Sequence, residues 1–89
     1  MVDDGSNDRT AEIVRRLAAD EPRIRFFENE KNLGVSCTRV RAAEEAKGNW
    51  LAFLDSDDIW VEDKLTRQMQ LAAESGAALI YTGCSFISD

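Results

Sequence analysis

Trp50, Leu51, Ala52, Phe53 and Leu54 form an unbroken apolar run that ends in Asp55, Ser56, Asp57 and Asp58. A short continuous run of this kind predicts a strand covered on both faces, as in a parallel sheet. Elsewhere the pattern is periodic. Ile13, Val14, Leu17 and Ala18 recur on one face of a helix predicted over residues 7–19, with Arg15, Arg16 and Asp20 outside. Glu21 and Pro22 end it. Ile24 and Phe26 alternate with Arg23 and Arg25, and Phe27 adds bulk, which predicts a strand over 23–28. A loop over 28–34 leads to a helix over 35–47, closed by Gly48 and Asn49 in a left-handed cap. Ile59 and Trp60 lead into a third helix that runs to Ser75. Leu65, Met69 and Ala72 or Ala73 mark its inner face, and Gly76 ends it. Residues 1–4 read as the last part of a strand and 77–82 as a final one, while 83–89 carry no end signal.

The resulting order, β-α-β-α-β-α-β, predicts an α/β fold with a largely parallel sheet. The chain has 89 residues, enough for one small domain. With 44% hydrophobic and 31% charged residues it is globular rather than disordered in composition. A net charge of −6 argues against nucleic acid as a partner, which calls for a basic footprint. No apolar run approaches the roughly 18–20 residues of a membrane span, and the start shows no signal peptide. Cys37 and Cys84 lack metal-ligand spacing and read as reduced thiols of a cytoplasmic protein. The absence of histidine leaves acid–base work to carboxylates or to residues outside this chain.

The candidate chemistry lies in two acidic turns, Asp3-Asp4-Gly5-Ser6 and Asp55-Ser56-Asp57-Asp58. Each follows a predicted strand, so both fall at the carboxyl edge of the sheet, where open α/β folds bind ligands. Clustered carboxylates repel, and a hard cation such as Mg²⁺ or Mn²⁺ relieves that repulsion. A carboxylate can also accept hydrogen bonds from a base or ribose, so the two turns suit a nucleotide diphosphate. Asn32-Leu33-Gly34 opens the next helix, with Arg39 one turn in, a setting for a base or phosphate.

The chain resembles family 2 glycosyltransferases, the large inverting family with the GT-A fold. The resemblance rests on Val2-Asp3-Asp4-Gly5-Ser6-Asn7-Asp8-Arg9-Thr10, on Asn32-Leu33-Gly34-Val35-Ser36, and on Gly48-Asn49-Trp50-Leu51-Ala52-Phe53-Leu54-Asp55-Ser56-Asp57-Asp58. Asp58-Ile59-Trp60, Lys64-Leu65 and Tyr81-Thr82-Gly83 match the family's usual sequel. The likeness covers nearly the whole chain in order. It implies a partial GT-A (Rossmann-like) three-layer fold, with residues 1–89 as one truncated nucleotide-binding domain. The family's first strand and its C-terminal half have no counterpart here. The resemblance also implies sugar transfer, with inversion, from a nucleotide-diphosphate donor to a glycan or lipid-linked acceptor. The expected setting is the cytoplasm, or the inner face of the membrane for the parent protein. Asp3, Asp4, Gly5 and Ser6 match the base-contacting turn, Asn32, Gly34 and Arg39 the nucleotide neighbourhood. Asp55 and Asp57 match the Asp-x-Asp motif, the first near the ribose and the second on the metal. The catalytic base is expected outside this chain.

The family's Ala-Arg-Asn-x-Gly stretch is Thr38-Arg39-Val40-Arg41-Ala42 here, so Arg39 is kept while the Asn and Gly are not. Simpler readings stand beside the sharp ones. The acidic turns can serve only as helix caps, Asp58 above all. Trp50, Trp60, Tyr81 and Cys37 read as packing residues, and Arg15, Arg16, Arg23, Arg25 and Arg41 as solvated faces. Rival functions are a fragment that only binds nucleotide and another Mg²⁺-dependent phosphate enzyme. A strand left without its neighbour also predicts self-association through open sheet edges.

Overall fold

Local chemistry decides where the first elements start and stop. The computed structural model describes residues 1–87 in two compact units, Met1–Ala52 and the residues from Phe53 onward. In the first unit β1 (Val2–Asp3) is followed by a turn in which Ser6 N–H donates to Asp3 Oδ2 at 3.0 Å. This Asx-type bond keeps residues 3–6 out of the helix. Helix α1 (Thr10–Asp20) therefore begins later than the predicted residue 7, once Asp8 Oδ1 accepts the Thr10 N–H at 3.0 Å. Val14 is buried on its inner face, while Ile13 and Leu17 stay exposed. Extended backbone at Glu21, just before Pro22, stops it as expected.

Strand β2 (Phe27–Glu28) pairs in parallel with β1, Val2 opposite Phe27 and Asp3 opposite Glu28. Phe27 N–H donates to the Met1 carbonyl and Asn29 N–H to the Asp3 carbonyl, both at 2.9 Å. The parallel α/β pairing expected from the sequence is thus present, though shorter than predicted. A strand extends only as far as its neighbour offers groups to pair with, and β1 turns away after Asp3.

Helix α2 (Val35–Glu45) begins as expected at Val35, after Gly34, and ends two residues before the predicted limit. The left-handed cap expected at Gly48 and Asn49 is overturned: Gly48 lacks a positive φ, and Ala46 leaves the helix in extended backbone. Arg25 does the capping instead, its Nη1 donating to the Glu45 carbonyl at 2.6 Å. Its guanidinium also lies 5.2 Å from the Phe27 ring centre, and that of Arg41 lies 5.8 Å from the same ring. Both are half-buried, so neither is the solvated arginine that charge patterning suggested.

In the second unit α3 (Lys64–Ser75) starts later than Ile59-Trp60 implied. Asp63 precedes it, so Asp58 is not its cap. Gly76 closes it in the left-handed conformation, φ +68°, as the sequence predicted. Ala72 is buried, whereas Leu65 and Met69 remain exposed beside Ala73 in an open groove. Trp60 packs under Lys64, whose Nζ is 4.5 Å from the ring centre.

Two predicted strands do not form. Residues 50–54 and 77–82 are irregular, and Phe53 is 55% and Tyr81 87% exposed. Among the described residues β1 and β2 make the whole sheet, so neither segment has a ladder to join. An apolar run becomes a strand only when neighbours take up its N–H and C=O groups. Trp50 and Cys37 are likewise exposed rather than packed. The end of the predicted tail, residues 88–89, lies outside the described residues. Among those described, no helix is long and apolar enough to cross a membrane.

Candidate functional site

The first acidic turn lies at the carboxyl ends of the two parallel strands. Asp3 is only 7% exposed and is held by Ser6, whose hydroxyl donates to Oδ1 and whose N–H donates to Oδ2. Asp4 reaches across to the loop after β2. Its Oδ1 accepts the Leu33 N–H at 2.7 Å and the Asn29 side-chain amide at 2.9 Å. Its Oδ2 accepts the Gly34 N–H at 2.9 Å. Asn32 Nδ2 adds a bond to the Asp4 carbonyl at 3.1 Å. The carboxylate therefore sits where an anion is favoured, against N–H groups at the start of α2. The Leu33 N–H above all, then the Asn29 amide, with help from Gly34 and Thr38, holds the Asp4 carboxyl below its ordinary range.

Gly5 permits this closure. Its φ is +75°, and a Cβ there would stand 3.2 Å from the Asn32 nitrogen. Both the backbone and the neighbouring loop thus require glycine. Gly5→Ala is expected to destabilise the chain by about 1–2 kcal/mol, seen as a lower midpoint in urea unfolding at unchanged slope.

Asp3, Asp4, Gly5, Ser6, Asn32 and Gly34 are accordingly brought into one constellation. Arg39 is exposed on α2. Asn29, Thr38 and Arg41 belong to the same network and were missed. Asn29 is 6% exposed; its Nδ2 also donates to Thr38 Oγ1 at 3.1 Å, and its Oδ1 accepts from Arg41 Nη1 at 2.6 Å. The one signal available was an Asn directly after a predicted strand, a position that favours turns and says nothing of distant partners.

The second acidic turn belongs to the second unit. Asp58 N–H donates to the Asp55 carbonyl at 3.1 Å, closing a β-turn around Ser56 and Asp57. Carboxylate oxygens of Asp55, Asp57 and Asp58 lie within 4.8 Å of one another, and all three residues are exposed. Such an all-oxygen donor set fits a hard divalent cation and leaves room for water or phosphate oxygens beside it. Asp58, read from the sequence both as part of the acidic cluster and as a cap, lies in this group and does not cap α3.

The family model described as glycosyl transferase family 2 matches residues 1–89. The chain is 39% identical over 88 residues to TuaG of Bacillus subtilis, a glycosyltransferase assigned to teichuronic acid biosynthesis, covering 99% of this chain and 35% of that protein. It is 34% identical over 89 residues to WfgD of Escherichia coli, a UDP-Glc:alpha-D-GlcNAc-diphosphoundecaprenol beta-1,3-glucosyltransferase, covering 100% and 34%. Similarity at 34% identity over 88 residues extends to the succinoglycan biosynthesis protein ExoO of Rhizobium meliloti, covering 99% and 25%. The chain spans about a third of the length of the first two relatives. No solved structure matches it.

Proposed function

Because the chain belongs to glycosyl transferase family 2, we propose that it is the nucleotide-sugar-binding part of an inverting glycosyltransferase. The donor is a nucleotide-diphosphate sugar and the acceptor a glycan or lipid-linked glycan. Support for the acceptor class comes from the diphosphoundecaprenol in the name of WfgD. Residues 1–89 form one nucleotide-binding domain of the protein, which works in the cytoplasm or at the inner face of the membrane.

The convergence of the Asp55, Asp57 and Asp58 carboxylates carries this reading. Asp57 and Asp55 would hold Mg²⁺ or Mn²⁺, with Asp58 beside them. When bound, a divalent cation neutralises the diphosphate and so stabilises it as leaving group. Asp3 and Asp4 with Gly5 and Ser6 form the base-side turn. Asn32, Gly34 and Arg39 border the nucleotide, and Asp55 also serves the ribose. The base that deprotonates the acceptor hydroxyl belongs to another part of the protein.

Calorimetric titration of the chain with uridine diphosphate tests this reading. Binding is expected with Mn²⁺ and expected to vanish when a chelator removes the metal. Equal binding with and without metal, or none in Mn²⁺, would refute it.

A further inference from the structure

Asn29 stands where β1, β2 and α2 meet. Its backbone N–H pairs with the Asp3 carbonyl at 2.9 Å, continuing the sheet ladder. Its side chain, almost fully buried, has every polar group occupied: one amide hydrogen faces Asp4, the other Thr38, and the oxygen faces Arg41. An arginine can only donate, so the Asn29 atom against Arg41 must be oxygen. The amide nitrogen is then turned toward Asp4. Arg41 is itself fixed, because the same Nη1 donates to the Glu28 carbonyl at 2.8 Å and the guanidinium lies beside Phe27.

We propose that Asn29 and Arg41 are positioning residues for the Asp4 carboxylate: Arg41 fixes the Asn29 amide, and Asn29 fixes Asp4 against the Leu33-Gly34 turn. The consequence for ligand binding rests on the nucleotide reading given above. The positioning itself does not. A carboxylate pinned on one oxygen by Asn29 and Leu33, and on the other by Gly34, has one orientation in which to meet a ligand. Such bonds to an ionised group are short and directional. Charged groups that these contacts place near Asp4 include Asp3, bonded to Ser6, and Arg41, behind Asn29.

Nuclear magnetic resonance of the whole chain tests this. In the wild type, the Asn29 side-chain amide signals are expected to shift along with titration of the Asp4 carboxyl carbon. Asn29→Leu removes the donor, and Arg41→Gln removes the group that orients it. Both are expected to move Asp4 titration up toward the ordinary carboxylate range. Both also shift the Leu33 and Gly34 amides, the second variant less strongly. Affinity for uridine diphosphate in Mn²⁺ is expected to fall about tenfold in Asn29→Leu, with affinity for Mn²⁺ alone unchanged. Asn29 signals indifferent to Asp4 in the wild type would overturn the inference without any variant. So would unmoved Asp4 titration in either folded variant. A wild type that binds no nucleotide, yet shows the linked Asn29 and Asp4 signals, would sink the functional reading and leave the positioning intact.

Discussion

Asp57→Ala is expected to remove the metal-dependent part of uridine diphosphate binding, weakening affinity in Mn²⁺ by more than about tenfold. Asp57 sits at the corner of the turn closed between Asp55 and Asp58, and its carboxylate converges with theirs. Removing one of three converging carboxylates lowers the negative charge that would attract a cation and takes away a proposed ligand. The helix α3, which starts at Lys64, does not depend on Asp57 for a cap, so helix content should persist. Ser56→Ala, in the same turn, should keep wild-type binding. Calorimetric titration of both variants, with circular dichroism as the folding control, decides the matter. Identical binding by Asp57→Ala and the wild type would remove Asp57 from the metal site.

The second large effect concerns Asp4. Asp4→Ala leaves the Leu33 and Gly34 N–H groups and the Asn29 amide without their shared acceptor. The first turn thereby loses its charged tie to the start of α2. Hydrogen exchange at Leu33 and Gly34 should therefore accelerate about tenfold. The wild type should show a matching dependence on pH. The Asp4 carboxyl titrates lower in the folded chain than in the unfolded one. Its contribution is then fully present above the ordinary carboxylate value, about 3.9, and is lost as pH falls through the lower, folded value. Below neutrality, exchange at the two amides should stay slow until that acidic window and then rise. Asp4→Ala should flatten the rise. Protection that survives in the variant would show that the loop is held by something else.

What could be read from the sequence follows the range of the interactions. The Asp3–Ser6 bond, the stop at Pro22 and the cap at Gly76 depend on neighbours a few residues away. Their residue types announce them. The strand expected at 50–54 depends on a partner strand, which its own composition cannot supply. Arg25 and Arg41 illustrate the same limit. Each lies in a charged pattern that suggests solvent, yet each finds a backbone carbonyl more than ten residues away and lies beside the Phe27 ring. At the site, the acidic residues were evident, whereas Asn29 and Thr38 were not. The role of those two comes from partners that only the folded chain brings near. Asp58 shows the converse: a residue suited to capping is drawn into a tight turn with Asp55 before α3 begins.

The exposed run Trp50 to Leu54 has a further consequence. Uncharged, free of proline and rich in large side chains, it has the makings of a cross-β stacking segment. The three carboxylates that follow act as gatekeepers, because stacked copies would align like charges along the fibril axis. A divalent cation in the turn, as proposed above, would neutralise that repulsion. On the metal-binding reading proposed above, the same carboxylates would guard colloidal behaviour when bare and give up that protection on taking metal, so protein concentration and metal concentration would become linked variables in handling this chain.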